Sequence, residues 1–81
     1  MIPLGKYMYG KFLDQKGKTK VVGIFSWSSG DRLGTVKWYG PWRQYCFYPE
    51  PDTVFNDVCL AKIIGFLATL NAEHRQKRGK G

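Results

Sequence analysis

The chain has 81 residues, which is enough for one domain and too few for two. Thirteen Lys and Arg against six Asp and Glu give a formal net charge of +7, and 43% of the residues are hydrophobic, which excludes a disordered chain. No apolar run is long enough to span a membrane, the N-terminus does not predict a signal peptide, and two cysteines are too few for a disulfide scaffold. We therefore expect a small, basic, aromatic-rich domain in the cytoplasm, without a membrane partner.

Stretches rich in β-branched and aromatic residues alternate with turn residues over the first part of the chain. Turns are predicted at Asp14–Gly17 and Ser28–Asp31, and Gly40-Pro41 interrupts the pattern because proline has no N–H for a ladder. Short turns predict an antiparallel meander, since parallel strands need crossovers of a dozen residues or more. The predicted strands cover 19–27, 33–39 and 43–48, with a weaker fourth candidate at 6–13.

One helix is predicted after the stiff connector Pro49–Asp52, with Asn56 or Asp57 as its cap. The fold class is therefore α+β: a two-layer domain over 1–74 in which three or four antiparallel strands pack on one C-terminal helix, in the order β-β-β-β-α. Residues 75–81 are predicted to form a basic, flexible tail. The predicted apolar face of the helix contains Leu60, Ile63, Ile64, Leu67 and Leu70, widened by Cys59 and Phe66.

Both faces of the predicted sheet carry aromatic side chains, which is more than one helix can cover. On strand 33–39, Val36 and Trp38 point to one face, and Lys37 and Tyr39 point to the other. The sequence leaves open which face the helix covers. It therefore also leaves open whether the aromatic residues of the last strand belong to the core or to the surface.

Catalytic and metal-binding patterns are not apparent. His74 is predicted to be solvated among basic neighbours, and no base lies near a nucleophile. Cys46 and Cys59 lack the short spacing of zinc ligands and are expected to pack as free, small hydrophobes. Asp52 and Asp57 fit turn and capping roles better than acid–base chemistry. We expect a protein that is not an enzyme and that has no metal or cofactor.

The strongest chemical signal is the interleaving of cations and aromatic rings between Lys37 and Tyr48. Single-stranded nucleic acid is bound by this combination, because cations follow the phosphates while aromatic faces stack on the bases. Basic blocks at 6–20 and 75–80 add to the positive potential if they share a face. The residues predicted to contact nucleic acid or another partner are Lys18, Lys20, Lys37, Tyr39, Trp42, Arg43, Tyr45, Arg75, Lys77 and Arg78.

The same residue types also support other interpretations. Trp, Tyr and Arg dominate protein–protein hot spots, so the surface also fits a protein partner. Small β domains use Trp and Tyr for cross-strand packing, and lysines on edge strands prevent aggregation. A spare aromatic face also fits a homodimer, so the oligomeric state is left open between monomer and homodimer.

The segment Leu33–Pro49 reads LGTVKWYGPWRQYCFYP, followed by Thr53–Phe55, Cys59-Leu60 and the amphipathic helix. This pattern resembles small proteins encoded by bacteriophages and prophages that share the core LG-x-[IV]-x-WYGPWR-x-Y-x-F-x-P, and the resemblance covers roughly residues 20 to 74. It implies a phage accessory protein acting in the cytoplasm of the host cell. Such genes often encode nucleic-acid binders or inhibitors of host defence, including anti-CRISPR proteins. The resemblance assigns no site residue.

We therefore expect a non-catalytic phage-type accessory protein that binds DNA or RNA through a basic, aromatic-rich sheet surface. The alternative is a protein-binding inhibitor of a host defence or nucleic-acid-handling machine, with a host protein or nucleoprotein as partner. Within WYGPWR, Gly40-Pro41 predicts a tight corner. Trp42 and Arg43 then either pack as part of that corner, with Arg43 against an aromatic ring, or stay exposed for contact.

Overall fold

The computed structural model describes residues 1–79, and the side chains of residues 1–76. Five strands form one antiparallel sheet in sequential order, and a single helix follows them. The predicted α+β class and the meander are confirmed, with one strand more than expected. The elements are β1 (Ile2–Leu4), β2 (Met8–Lys16), β3 (Thr19–Ser26), β4 (Arg32–Tyr39), β5 (Gln44–Pro49) and α1 (Asp57–Gly79).

The N-terminal part of the sheet differs most from the prediction. β1 is three residues long and includes a proline, so it gives too little pattern to be recognised. β2 continues through the predicted turn and reverses only after Lys16, because Gly17 takes the left-handed conformation with φ of 60°. A register shift between Phe12 and Asp14 marks a bulge in this long strand.

α1 crosses one face of the sheet, and the core forms between them. At one end of the crossing the Lys62 side chain packs against Gly5 in the β1–β2 turn. At the other end, the Tyr45 backbone N–H donates a 2.8 Å hydrogen bond to the Asn71 Oδ1. The buried hydrophobic core contains Leu4, Met8, Val22, Ile24, Val36 and Tyr45 from the sheet, and Ile63 and Leu70 from α1.

The buried stripe of α1 is rotated relative to the predicted apolar face. Ile63 and Leu70 are buried as expected, but Leu60 and Ile64 are 46% and 65% exposed. Phe66, predicted to lie at the margin, packs against the core. The physical reason is that a helix lying on a sheet buries one stripe, and residues beyond that stripe stay in solvent whatever their hydrophobicity.

Both ends of α1 can be explained by local chemistry. Asn56 is the cap, because its Oδ1 accepts a 2.8 Å hydrogen bond from the Cys59 N–H. Towards the C-terminus the helix runs past the predicted domain boundary at residue 74 and continues to Gly79. Arg75 and Gln76 are good helix formers, so helical backbone replaces part of the predicted tail. Residues 80–81 of that tail lie outside the described residues.

The two edges of the sheet offer few groups for pairing with another chain. On β5 the outward-facing N–H of Tyr45 is used by Asn71, and Pro49 has no N–H. On the opposite edge, β1 is short and contains Pro3. Short edges, proline and covered N–H groups are the features by which natural sheets avoid edge-to-edge aggregation. Within residues 1–79, no helix is both long and apolar enough to cross a membrane.

Candidate nucleic-acid interface

The side of the sheet opposite α1 is left uncovered by the described elements. Because side chains alternate along a strand, the partners of the buried residues identify this side: Val36 faces α1, so Lys37 faces away from it. We call this surface the open face. Its residues include Tyr9, Lys11, Asp14, Val21, Phe25, Arg32, Thr35, Lys37, Tyr39, Cys46 and Tyr48.

Strand register arranges the open face in rows. Lys11, Gly23, Thr35 and Tyr48 are successive partners across β2, β3, β4 and β5. In the next row on one side, Tyr9 pairs with Phe25, and in the row on the other side, Lys37 pairs with Cys46. Aromatic rings and cations are therefore interleaved within one continuous surface.

One group of aromatic rings lies on β2 and β3. The rings of Tyr9 and Phe25 are stacked with centroids 5.5 Å apart, and the Trp27 ring is 4.5 Å from Tyr9. The Arg32 guanidinium carbon lies 5.7 Å from the Phe25 ring centroid. A Cβ at Gly23 would come within 2.7 Å of the Phe25 ring, so glycine at this position lets that ring lie flat along the sheet.

The second group of rings surrounds a cavity of about 210 Å³ at the end of β4 and the end of β5. We call it the aromatic cavity. The rings of Tyr39 and Trp42 meet edge to face with centroids 5.1 Å apart, and those of Tyr39 and Tyr48 are 6.5 Å apart. The Lys37 Nζ lies 4.6 Å from the Tyr48 ring centroid. The cavity is lined by Tyr39, Trp42, Cys46, Phe47 and Tyr48.

The corner between β4 and β5 holds Trp42 out into solvent. Gly40–Trp42 form one turn of 3-10 helix with proline near its start, which confirms the predicted tight corner. Arg43 closes the turn in the left-handed conformation, with φ of 54°, and its N–H donates to the carbonyl oxygens of Tyr39 and Gly40. Trp42 is 67% exposed, and Arg43 is also exposed. Among the described residues, no aromatic ring lies against the Arg43 guanidinium.

Tyr45 is the predicted contact residue that the structure places elsewhere. It is only 5% exposed and lies on the α1 side, because its register partner Trp38 faces the core. Its Oη accepts a 3.0 Å hydrogen bond from the Lys20 backbone N–H. Tyr45 is therefore a core residue, and the contact role predicted for it is corrected.

His74 also differs from the prediction of a solvated side chain. Its ring centroid lies 4.4 Å from that of Trp38, and its Nδ1 is buried without a hydrogen-bond partner among the described residues. Helical spacing explains the position, since residue 74 follows the buried Leu70 by one turn. That spacing was available in the sequence, but the neighbouring charges pointed to solvent.

Among the described side chains, the predicted basic residues are divided between the two sides of the sheet. Lys20 is on the α1 side, where its Nζ lies 4.0 Å from a Glu73 carboxylate oxygen. Lys18 is exposed in the β2–β3 turn, and Arg75 is exposed on α1. Of the predicted residues whose side chains are described, Lys37, Tyr39, Trp42 and Arg43 come together at the end of the open face. The side chains of Lys77 and Arg78 lie outside the described residues.

The chain is 30% identical over 59 residues to an uncharacterised 9.3 kDa protein of Acholeplasma phage L2, an alignment that covers 73% of this chain and 76% of that protein. The chain belongs to the family of this phage protein. The expected relationship to small phage proteins is confirmed at that level. No protein-family model matches the chain, and no solved structure matches it.

Several aromatic and basic residues of the open face in this phage-family protein were not among the predicted contact residues. Alternation along the strands was the available signal, but the register that joins β2 and β3 to the corner was needed to place them on one surface. The residues added by the structure are Tyr9, Lys11, Phe25, Arg32 and Tyr48.

The electrostatic character of the open face is positive with neutral rings. Asp14 is the single acidic residue in the five strands, and it lies 3.9 Å from the Lys16 ammonium at the far end of β2. Partial desolvation raises the pKa of the Tyr48 phenol above its ordinary value, with smaller contributions from Cys46 and Tyr39. Tyr48 therefore stays neutral at physiological pH. Within residues 1–79, no three His, Cys, Asp or Glu side chains lie together as metal ligands.

Proposed function

We propose that this phage-family protein binds nucleic acid through the open face, without catalysing a reaction. The observation that carries the proposal is the interleaving of rings and cations on the side of the sheet that α1 leaves uncovered. Lys11, Arg32 and Lys37 provide positive charge between the two groups of rings. Cations that follow phosphates, combined with rings that stack on bases, are the chemistry of sequence-tolerant nucleic-acid binding.

The distribution of acids supports the same function. Asp14 is offset by Lys16, and Glu73 lies beside Lys20 on the opposite side of the sheet. Among the described residues, no acidic side chain forms a salt bridge with Lys11, Arg32 or Lys37 of the open face. A surface of this kind attracts a polyanion at long range and keeps it through short-range contacts.

Fluorescence anisotropy of labelled single-stranded DNA, single-stranded RNA and duplex DNA, titrated from low to physiological salt, tests the proposal. We expect binding to persist near physiological salt with a preference for one polymer. Lys37→Gln is expected to weaken binding and to lower the log–log salt slope by about 0.7 to 0.9, one phosphate contact. Lys62→Gln is the matched control, since it removes the same charge from α1 and keeps the Cγ and Cδ of the side chain that packs at Gly5.

Two results would overturn the proposal. The first is binding that disappears equally for all three polymers well below physiological salt. That result would mean that the positive charge attracts any polyanion without a specific site. The second is an equal loss of affinity in Lys37→Gln and Lys62→Gln, which would show that binding does not depend on the open face.

A second candidate function is inhibition of a host defence or nucleic-acid-handling machine through protein contact. The observation that favours it is the exposure of Leu60 and Ile64 along one flank of α1. Hydrophobic side chains exposed next to one another on a small protein are typical of a protein contact. Capture of a partner from nuclease-treated host lysate, abolished by Leu60→Ser with Ile64→Ser, would support this function. Loss of every partner after nuclease treatment would contradict it.

A further inference from the structure

We infer that the bound nucleic acid is single-stranded and that the aromatic cavity receives one unpaired base. The inference rests on the proposed function and adds to it the form of the polymer and the position of a base site. It follows from the width of the sheet, the shape of the cavity and the charges around it.

The width of the open face does not fit the groove of an undistorted duplex. Five strands have four inter-strand spacings of about 4.8 Å, so the sheet is about 19 Å across. The major groove of B-DNA is about 12 Å wide and admits one helix or a two-stranded ribbon. The sheet can therefore reach only the backbone of a duplex, whose base faces are covered by stacking. A single strand presents base faces that rings can contact.

The aromatic cavity has the size and walls for one planar ring system. Its volume of about 210 Å³ is below the roughly 300–1,000 Å³ of sites for drug-sized ligands. The Tyr39 ring stands at 86° to Trp42 and at 68° to Tyr48. A base stacked on one of these rings therefore meets the edge of another, which is the favoured geometry of aromatic contacts.

The charges around the cavity select an anionic polymer over a cationic ligand. Lys37 already places an ammonium 4.6 Å from the Tyr48 ring centroid, so a quaternary ammonium in the same cage would meet a like charge. Arg43 is exposed directly after Trp42, and 32–49 contains no acidic residue. Lys37 and Arg43 are thus available to the phosphates on either side of the inserted base.

A comparison of three probes of equal length tests the inference: a fifteen-nucleotide oligothymidylate, an abasic oligomer with the same phosphates, and a duplex. Dissociation constants are measured by anisotropy at one ionic strength. We expect oligothymidylate to bind about 5- to 150-fold more tightly than the abasic oligomer, the range that one stacked base gives. We also expect it to bind more tightly than the duplex.

The variants locate the base. Trp42→Ala is expected to reduce the preference for oligothymidylate over the abasic oligomer, because it removes one wall of the aromatic cavity, and Trp42→Phe is expected to keep most of that preference. Val58→Ala is the control, since Val58 is also an exposed hydrophobic residue but lies on α1. Its affinities are expected to equal those of the wild type. Circular dichroism of each variant establishes that the fold is retained.

The results separate the inference from the function on which it rests. Equal affinities of the wild type for oligothymidylate and the abasic oligomer would overturn the base site and leave nucleic-acid binding in place. Equal affinities for single strand and duplex would overturn the single-strand selection. A preference for oligothymidylate that is as large in Trp42→Ala as in the wild type would exclude the aromatic cavity as the base site. Binding of none of the three probes would overturn the proposed function itself.

Discussion

The two faces of the sheet use similar side chains in different surroundings. On the α1 side, the Trp38 ring meets Tyr45 at 87° and His74 at 41°, and Tyr45 is tied to two backbone or side-chain partners. On the open face, the Tyr39 ring meets the largely exposed Trp42, and a lysine lies over the neighbouring ring. Aromatic composition alone does not distinguish these surroundings. The surroundings of each ring distinguish a ring that packs in the core from a ring that is exposed and available to a partner.

β4 contains this comparison in two consecutive residues. Trp38 points to the core and Tyr39 to the open face, because successive side chains of a strand point in opposite directions. The corner after β4 then places Trp42 in solvent. Variants of residues on the α1 side are expected to change the free energy of unfolding, whereas variants of residues on the open face are expected to change the affinity for nucleic acid.

The largest expected effect is on the covered face. Tyr45→Ala is predicted to lower the free energy of unfolding by about 3–5 kcal/mol, since it empties a core site and leaves the Lys20 N–H without its acceptor. Trp42→Ala is predicted to change it by less than about 0.5 kcal/mol. Urea denaturation followed by circular dichroism measures both, and similar values for the two variants would contradict the assignment of the faces.

A smaller effect is expected in the reactivity of the two cysteines, which lie on different sides of the molecule. Cys46 lines the aromatic cavity, whereas Cys59 packs against the core from α1. Bound oligothymidylate is predicted to protect the Cys46 thiol, so that the alkylation rate of Cys46 is proportional to the fraction of protein that is free. The rate is expected to fall about tenfold when nine-tenths of the protein is bound. Peptide mass spectrometry measures both thiols. Cys59 serves as the internal reference, and equal protection of the two would point to a global change instead.

Arg43 joins stability and contact in one residue. Its left-handed backbone disfavours a side chain, so Arg43→Gly is predicted to raise the free energy of unfolding by up to about 1 kcal/mol. The same change is predicted to weaken nucleic-acid binding, because the guanidinium beside Trp42 is lost. Denaturation and anisotropy on the same sample check the two directions. A variant that gains stability and keeps full affinity would remove Arg43 from the interface.

The smallest effect is confined to alkaline pH. The raised pKa of Tyr48 means that the folded protein holds the phenolic proton more tightly than the unfolded chain does. The resulting stability is fully present below the unfolded pKa, about 10, and is lost as the pH rises through the folded value. Tyr48→Phe is predicted to remove this alkaline loss and to leave stability at neutral pH nearly unchanged. Denaturation midpoints across the alkaline range compare the two proteins, and parallel curves would contradict the shift.

Local patterns were enough to predict the meander, the corner at Gly40-Pro41 and a helix cap at Asn56 or Asp57. They also separated the side chains of β4 and β5 into two sets. They could not show which set α1 covers, because that choice depends on long-range contacts such as the Asn71 hydrogen bond to Tyr45. The same limit explains why Tyr45 was predicted to make contacts and why Lys20 was grouped with the surface cations. β1 was missed because three residues carry too little periodicity.

The order of elements along the chain also affects how the protein reaches its fold. Each strand pairs with its neighbour in sequence, so the sheet forms through short loop closures, which favours rapid folding. The helix that shields the core follows all five strands. At a synthesis rate of about 5–20 residues per second, its 23 residues take about 1–5 s to make. During that interval both faces of the sheet are exposed to solvent and the Tyr45 N–H still lacks its partner Asn71. The short β1 with Pro3, and Pro49 on β5, are then what limits edge-to-edge association of the nascent chain.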